Sequence, residues 1–80
     1  MFYVYLLRSI KNPTNTYIGF TTNLAQRMKQ HNAGSPGYSS DFKPWKLVVF
    51  IGFNDESKAR IFEKYLKVGS GHAFAQRRFW

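Results

Sequence analysis

The sequence predicts a single α+β domain over residues 1–80, in which helices flank a small three-stranded sheet, antiparallel or mixed, in the chain order ββαβα with one optional last helix. Three observations support this fold class. The chain has 80 residues, enough for one small core and no second domain. Hydrophobic residues make up 44% of it, as in globular proteins. Its apolar runs are short and rich in β-formers, and other segments carry apolar residues at helical spacing.

Two predicted strands open the chain as a hairpin. The apolar runs Phe2 to Leu7 and Thr16 to Phe20 enclose the turn-forming stretch KNPTN. Side chains alternate between the two faces of a strand, and the positions of Tyr5 and Tyr17 in the paired strands are compatible with the same face. Both hydroxyls are therefore expected on one face of the sheet, the face that the helices cover. A tyrosine in a strand is usually a core residue, and this alternative stays open for each tyrosine taken alone.

The next segment predicts a helix with basic groups on its buried side. Thr21 or Thr22 is expected to cap it, and it is expected to end at about His31 or Asn32. Counting at i, i+3, i+4 and i+7, its inward stripe is Leu24, Arg27, Met28 and His31. An arginine and a histidine are unusual choices for the interior of so small a domain.

The second half of the chain predicts four further segments. They are a surface loop, a third strand, a second helix capped by Asn54 or Asp55, and a short last helix that follows a Gly-Ser-Gly break. In that order they span Gly34 to Pro44, Trp45 to Phe53, Glu56 to Val68 and His72 to Arg78.

The second helix also carries a charged residue on its inward stripe. That stripe is Ala59, Phe62, Glu63 and Leu66. A buried carboxylate is tolerated when it is paired or when it binds a metal. Arg27 and His31 are the candidates to lie near Glu63. One alternative is therefore structural, a partly buried ion pair between Arg27 and Glu63 that fixes how two helices dock.

The charge balance indicates a polyanionic partner. Twelve Lys or Arg residues against four Asp or Glu give a formal net charge of +8 and a sequence pI near 10.1. Nucleic acid is the expected partner for a small domain of this charge. A basic surface that serves only solubility is the alternative.

Composition also excludes several classes of site. The chain has no cysteine, which excludes disulfides and thiolate metal sites. The apolar run after Met1 is too short for a signal peptide or a membrane span. No long basic amphipathic helix is visible, so a membrane surface is not expected as a partner. We expect a cytoplasmic protein.

Four stretches in order, YVYLL, TYIG, LAQRMKQH and FEKYLK, strongly resemble the GIY-YIG nuclease superfamily. The resemblance covers nearly the whole chain. It is greatest to small standalone bacterial members related to the nuclease domain of the excinuclease ABC C subunit. Segments similar to PWKLV and GSGHAFAQRR also occur in those members. The sequence departs from the pattern in two places. Tyr3 stands where the motif name has Gly, and Phe20 stands where some members have a Lys that aids water activation. Gly19 is expected to serve backbone geometry in a turn or a close approach of substrate.

The resemblance implies the GIY-YIG fold and a metal-dependent endonuclease, and it gives catalytic roles to Tyr5, Tyr17, Arg27, His31 and Glu63. Glu63 would hold a single divalent cation, Mg²⁺ or Mn²⁺. Arg27 would supply positive charge beside the scissile phosphate. The tyrosines would bind or activate the attacking water, and we expect Arg27 or the metal to lower the pKa of one of them. His31 would relay a proton or hydrogen-bond a tyrosine, unless it only orients a side chain.

Further residues are candidates for contact with the nucleic-acid backbone or bases, namely Tyr38, Ser39, Lys43, Lys67, Arg77 and Arg78. DNA is expected rather than RNA, with low intrinsic sequence specificity because so small a domain has little surface for base readout. A protein partner or a homodimer would then supply targeting. The alternatives are a basic nucleic-acid-binding module that keeps the fold without turnover, and a basic adaptor for a protein partner.

Overall fold

A computed structural model of the chain describes residues 1–33 and 41–80. Its three strands form one antiparallel sheet with the spatial order β2-β1-β3. The strands are β1 (Phe2–Ser9), β2 (Thr16–Thr21) and β3 (Trp45–Phe53), and the helices are α1 (Leu24–Ala33), α2 (Glu56–Lys67) and α3 (Gly69–Arg78). The predicted α+β class is confirmed, and the last helix is present.

The central strand β1 is buried on both of its faces. Val4 and Leu6 point to one side and belong to a core with Ala59, Leu66 and Ala75, which α2 and α3 contribute. Tyr5 and Leu7 alternate with them and point to the other side, where residues of α1 pack. The sheet is thus covered on both faces. The prediction of one helix-covered face was incomplete, because successive β1 residues are apolar and each face needs its own cover.

The first helix begins at Leu24, slightly later than a cap at Thr21 or Thr22 would place its start. Asn23 caps it, since its Oδ1 accepts a hydrogen bond from the Gln26 backbone N–H at 3.1 Å. The Thr21 hydroxyl instead accepts from the Asn23 backbone N–H at 3.1 Å and turns the chain out of β2. Asp55 caps α2 as predicted, accepting from the Lys58 backbone N–H at 3.1 Å.

The Gly-Ser-Gly segment starts α3 rather than delaying it. Gly69 has φ +56°, a left-handed conformation that glycine adopts without strain, and it reverses the chain directly after α2. Gly71 is buried, and a Cβ there would collide with the Tyr65 carbonyl. Glycine therefore allows α3 to pack closely against the end of α2. No helix in residues 1–33 and 41–80 is long and apolar enough to span a membrane.

Candidate active site

A cleft of about 490 Å³ opens along the edge strand β2 and collects most of the predicted catalytic residues. We call it the catalytic cleft. Its lining consists of Tyr5, Tyr17, Gly19, Phe20, Thr21, Thr22, Arg27, Arg60 and Glu63. β1 and β2 supply the tyrosines, α1 supplies the arginine, and α2 supplies the glutamate. Elements from both faces of the sheet can meet there because β2 is an edge strand.

The two tyrosines lie side by side because of the strand register. Tyr5 pairs with Gly19 and Leu7 pairs with Tyr17, so Tyr5 and Tyr17 are diagonal neighbours on one face, with ring centroids 6.1 Å apart. Gly19 makes room for this arrangement, since a Cβ there would collide with the ring carbon Cζ and the hydroxyl of Tyr5. The expected structural role of Gly19 thus takes a specific form, in which the tyrosine ring, rather than a turn or the substrate, makes the close approach.

His31 lies behind the cleft and contacts Tyr5. Its side chain is buried, and its Nε2 is 2.9 Å from the Tyr5 hydroxyl. The rings of Tyr17 and Trp45 pack on it with centroid distances of 4.9 and 6.5 Å. A hydroxyl that donates to Nε2 requires the neutral tautomer with its proton on Nδ1. Within the described residues Nδ1 is buried and has no hydrogen-bond partner.

Burial sets the ionisation of both members of this pair. Desolvation lowers the pKa of His31, and the positive charge of Arg27 lowers it further. Desolvation also raises the pKa of Tyr5, and the neighbouring Tyr17 adds to the rise. Arg27 acts in the opposite direction on Tyr5 but does not compensate. Arg27 thus lowers the pKa of Tyr5, as expected, but burial and Tyr17 outweigh it, and the neutral Tyr5 hydroxyl is suited to donate a hydrogen bond.

Arg27 lines the cleft from an exposed position, which corrects the prediction that it is buried. With 3.6 residues per turn, it lies about 60° from Leu24 on the helix surface, at the flank of the apolar stripe. Leu24 and Met28 do face the core, and the buried His31 lies about 20° from Leu24, on the side of Arg27. The flank position lets the long side chain of Arg27 reach solvent at the mouth of the cleft.

Glu63 is half-buried and pairs with Lys67, not with Arg27. Its Oε2 is 2.7 Å from Lys67 Nζ, and the Glu63 side chain keeps 17% of its exposure. The proposed structural pair between Arg27 and Glu63 is wrong, because the lysine one turn further along α2 is the nearer cation. In residues 1–33 and 41–80, Arg27 forms no ion pair. The site therefore has one cation held by its carboxylate and another available to a ligand.

Sequence reasoning missed Arg60, which also lines the cleft. Its guanidinium lies over the Phe20 ring, 4.1 Å from the ring centroid, and its Nε donates to Glu56 Oε2 at 2.9 Å. Phe20 stands where some members of the family that the sequence resembles have a lysine, and here Arg60 brings a cation to that part of the cleft. The i, i+4 pair of Glu56 and Arg60 was visible in the sequence, but not the reach of Arg60 over β2.

The carboxylate fits a divalent cation of the Mg²⁺ class. No group of three or more His, Cys, Asp or Glu gathers anywhere in the described parts of the chain, so a cage made only of protein ligands is not available. Mg²⁺ is commonly held by one or two carboxylates, with water and substrate phosphate completing its shell. Glu63 meets that requirement, because its carboxylate faces a cleft large enough for a phosphate and water.

The predicted nucleic-acid contacts are only partly placed. Lys67 adjoins the cleft through Glu63. Tyr38 and Ser39 lie outside the described residues. Lys43, Arg77 and Arg78 are exposed and do not line the catalytic cleft, and their contacts with nucleic acid remain predictions.

The lowered pKa of His31 predicts a stability that depends on pH. Between the unfolded value near 6.5 and the lower folded value, the unfolded chain binds more protons at this residue, so stability falls as the pH drops below about 6.5. The slope is at most about 1.4 kcal/mol per pH unit for one proton. Urea unfolding of the wild type and of His31→Gln between pH 7.5 and 5.5 measures it.

His31→Gln should flatten that slope, because glutamine does not titrate. His72→Gln, at the other histidine and on the exposed surface, is the matched control and should retain the wild-type slope. Equal slopes in the wild type and His31→Gln would show that His31 is not the buried neutral group inferred here.

Comparison with known proteins identifies the family of the chain. A model of the GIY-YIG catalytic domain matches residues 1–74. The chain is 38% identical over 65 residues to "Structure-specific endonuclease subunit slx1" of Talaromyces marneffei, covering 74% of this chain and 17% of the relative. It is 38% identical over 81 residues to "Structure-specific endonuclease subunit SLX1" of Candida dubliniensis, covering 92% and 27%.

A protozoan relative, "Structure-specific endonuclease subunit SLX1 homolog" of Giardia intestinalis, is 38% identical over 65 residues, covering 76% of this chain and 18% of the relative. The chain thus spans less than a third of the length of these relatives. All three organisms are eukaryotes, and the expected bacterial affiliation stays a prediction. Because the family match runs through both strands of the hairpin, α1 and α2, and so includes every residue of the catalytic cleft, the chain belongs to the GIY-YIG family.

Proposed function

We propose that the chain is an endonuclease that hydrolyses phosphodiester bonds of DNA with the help of a divalent cation. The observation that carries the proposal is the convergence of Tyr5, Tyr17, Arg27 and Glu63 on one cleft of a strongly basic protein. Membership of the GIY-YIG family and the names of the endonuclease relatives support it.

The residues of the cleft divide the work as follows in this proposal. Arg27, exposed and without an ion pair in the described parts of the chain, binds the scissile phosphate and offsets the charge that develops on it. The Tyr17 hydroxyl positions the attacking water. Tyr5 stays neutral and donates its single hydroxyl proton to His31 Nε2, and His31 thereby holds that hydroxyl in place from the protein interior.

Glu63 would hold the divalent cation, with Mg²⁺ and Mn²⁺ as the expected ions. When bound, such a cation lowers the pKa of coordinated water and polarises the phosphate. Lys67 neutralises the carboxylate before the ion arrives, which keeps the charge of Glu63 from repelling the substrate. A half-exposed ion pair of this kind is easily exchanged for other partners.

The substrate is proposed to be recognised by shape rather than by sequence. Several relatives are named structure-specific endonuclease subunits. The cleft offers charged and hydroxyl side chains that suit phosphates. The word subunit in those names also supports the proposal that a protein partner directs this chain to its target.

A second candidate is a nucleic-acid-binding module without turnover. The pairing of Lys67 with Glu63 favours it, because the cleft is then attractive to a polyanion without any metal. The two candidates differ in a single measurement, cleavage in the presence of a divalent cation.

A nicking assay tests the proposal. Supercoiled plasmid, single-stranded DNA, branched DNA and RNA are incubated with Mg²⁺, with Mn²⁺ and with a chelator. We expect cuts in DNA only when the ion is present, with branched DNA cut fastest. Salt-sensitive binding to all substrates with no cleavage of any of them would instead favour the binding module.

A further inference from the structure

Tyr17 lines a second cavity as well as the catalytic cleft. This cavity, of about 380 Å³, is lined by β2, the end of α2, the first turn of α3 and the residue Trp80 that follows α3, and we call it the β2–α3 cavity. Its lining is Thr16, Tyr17, Ile18, Lys67, His72 and Trp80. Its volume lies within the range of about 300–1,000 Å³ that is usual for small-molecule sites.

We propose that the β2–α3 cavity binds the nucleotide that neighbours the scissile phosphate, with its phosphate at Lys67 and His72 and its base against Trp80. The inference rests on the proposed nuclease function and adds a subsite to it. Nothing in the catalytic roles given above uses His72 or Trp80.

The side chains of the cavity match the chemistry of a nucleotide. Lys67 and His72 offer donors to phosphate oxygens, and the lining contains no acidic residue. Trp80 packs partly against the core and also lines the cavity, and an aromatic ring there can stack on a base of any sequence. Proteins that bind single-stranded nucleic acid without sequence preference combine cationic side chains, which contact phosphates, with aromatic side chains, on which bases stack.

The two cavities are consecutive along β2. Residues 16–18 line the β2–α3 cavity, while residue 17 and residues 19–21 line the catalytic cleft. The ion pair between Lys67 and Glu63 joins them a second time, because Lys67 lines one cavity and Glu63 the other. A strand whose phosphate lies in the cleft would therefore place its next nucleotide in the β2–α3 cavity.

Trp80 is held in place before any ligand binds. Its backbone N–H donates to the Ala75 carbonyl at 3.0 Å, and its carbonyl accepts from Arg8 Nη2 at 3.3 Å. The Arg8 guanidinium also lies 5.5 Å from the centroid of the Trp80 ring. A fixed aromatic wall loses little side-chain freedom when a base stacks on it.

Lys67 is also free enough to serve a phosphate. Its side chain is 47% exposed, and exposed ion pairs are only weakly stabilising. A phosphate oxygen can replace or share the Glu63 carboxylate as its partner. A divalent cation held by Glu63 would compete with Lys67 for that carboxylate, and the ammonium group of Lys67 would then be available to a phosphate.

Binding assays without metal test the inference and avoid cleavage. Fluorescence anisotropy is measured in the presence of a chelator, with a labelled oligothymidylate of ten nucleotides and with a labelled abasic strand of the same length. Trp80→Ala should weaken binding of oligothymidylate by about tenfold and leave the abasic strand nearly unchanged, because only the base stacks on the ring. Trp80→Phe should retain most of the preference.

Lys67→Ala should weaken both probes and reduce the log–log salt slope by about 0.7, the contribution of one phosphate on a single strand. Lys64→Ala is the matched control, since it removes an exposed lysine of the same helix that lines neither cavity. It should change both affinities by less than about twofold. Far-UV circular dichroism and melting establish that each variant is folded.

The inference is wrong if folded Trp80→Ala binds both probes as the wild type does, or if Lys67→Ala behaves like Lys64→Ala. If Trp80→Ala fails to fold, Lys67→Ala and His72→Ala decide in the same assay. Plasmid nicking by the wild type separates the two proposals. Normal nicking without the base preference rejects the subsite alone, and a base preference without nicking rejects the nuclease alone.

Discussion

Glu63→Gln is expected to abolish cleavage in Mg²⁺ or Mn²⁺ while leaving the fold nearly as stable as in the wild type. The substitution removes the charge that would hold the cation and keeps almost the same volume. The lost ion pair with half-exposed Lys67 contributes about 0–1 kcal/mol, or a few degrees in melting temperature for a domain of this size. Nicking rate and thermal melting of the same preparation measure both effects.

DNA binding without metal provides a third readout for this variant. It should hold or tighten in Glu63→Gln, because a negative charge beside the phosphate site is gone and Lys67 loses its carboxylate partner. Glu56→Gln is the matched control, since Glu56 lies on the same helix and forms an i, i+4 pair with Arg60 at 2.9 Å. It should retain cleavage.

Two outcomes would contradict the role given to Glu63. Marked destabilisation with retained cleavage would make it a structural residue. Equal loss of cleavage in Glu56→Gln and Glu63→Gln would show that the general charge of α2, not a specific carboxylate, supports the activity.

Most of the backbone could be predicted, because its elements follow local patterns. β3 occupies the predicted residues, and Asp55 caps α2 as expected. The errors occur where a local preference competes with packing. Thr21 and Asn23 are both residue types that cap helices. The Thr21 hydroxyl accepts from the Asn23 backbone N–H, and Asn23 Oδ1 accepts from the Gln26 backbone N–H, so Asn23 is the cap. The start of α3 was missed because a glycine normally weakens a helix, whereas Gly71 is required by its contact with Tyr65.

The candidate site was predictable where a backbone period determines direction. Strand alternation places Tyr5 and Tyr17 on one face, and helical spacing turns His31 inward. Prediction from the backbone period fails for long charged side chains, because their charged ends lie several bonds away from the backbone. Arg27 reaches solvent and Arg60 crosses to Phe20, neither of which the period of a helix determines. The i, i+4 spacing of Glu63 and Lys67 was visible in the sequence, but not that Lys67 rather than Arg27 would pair with Glu63.

Lys67 and Arg60 form ion pairs, whereas Arg27 forms none in the described parts of the chain. Arg27→Ala is therefore expected to have the second large effect on cleavage. We expect the nicking rate to fall by about 10²- to 10³-fold, the usual loss when a donor that stabilises a developing charge is removed. Stability should change by less than about 0.5 kcal/mol, because Arg27 is exposed and forms no ion pair within residues 1–33 and 41–80. Single-turnover nicking and urea unfolding measure the two quantities.

Two controls set the scale for Arg27→Ala. Lys29→Ala removes an exposed cation from the same helix that does not line the cleft, and it should cut almost as fast as the wild type. Arg60→Ala removes a cation that lines the cleft but is shared with Glu56, so its loss of rate should be smaller than that of Arg27→Ala. Arg27 would lose its place beside the scissile phosphate if Arg27→Ala and Lys29→Ala slowed nicking equally, because a uniform loss is what general electrostatic attraction produces.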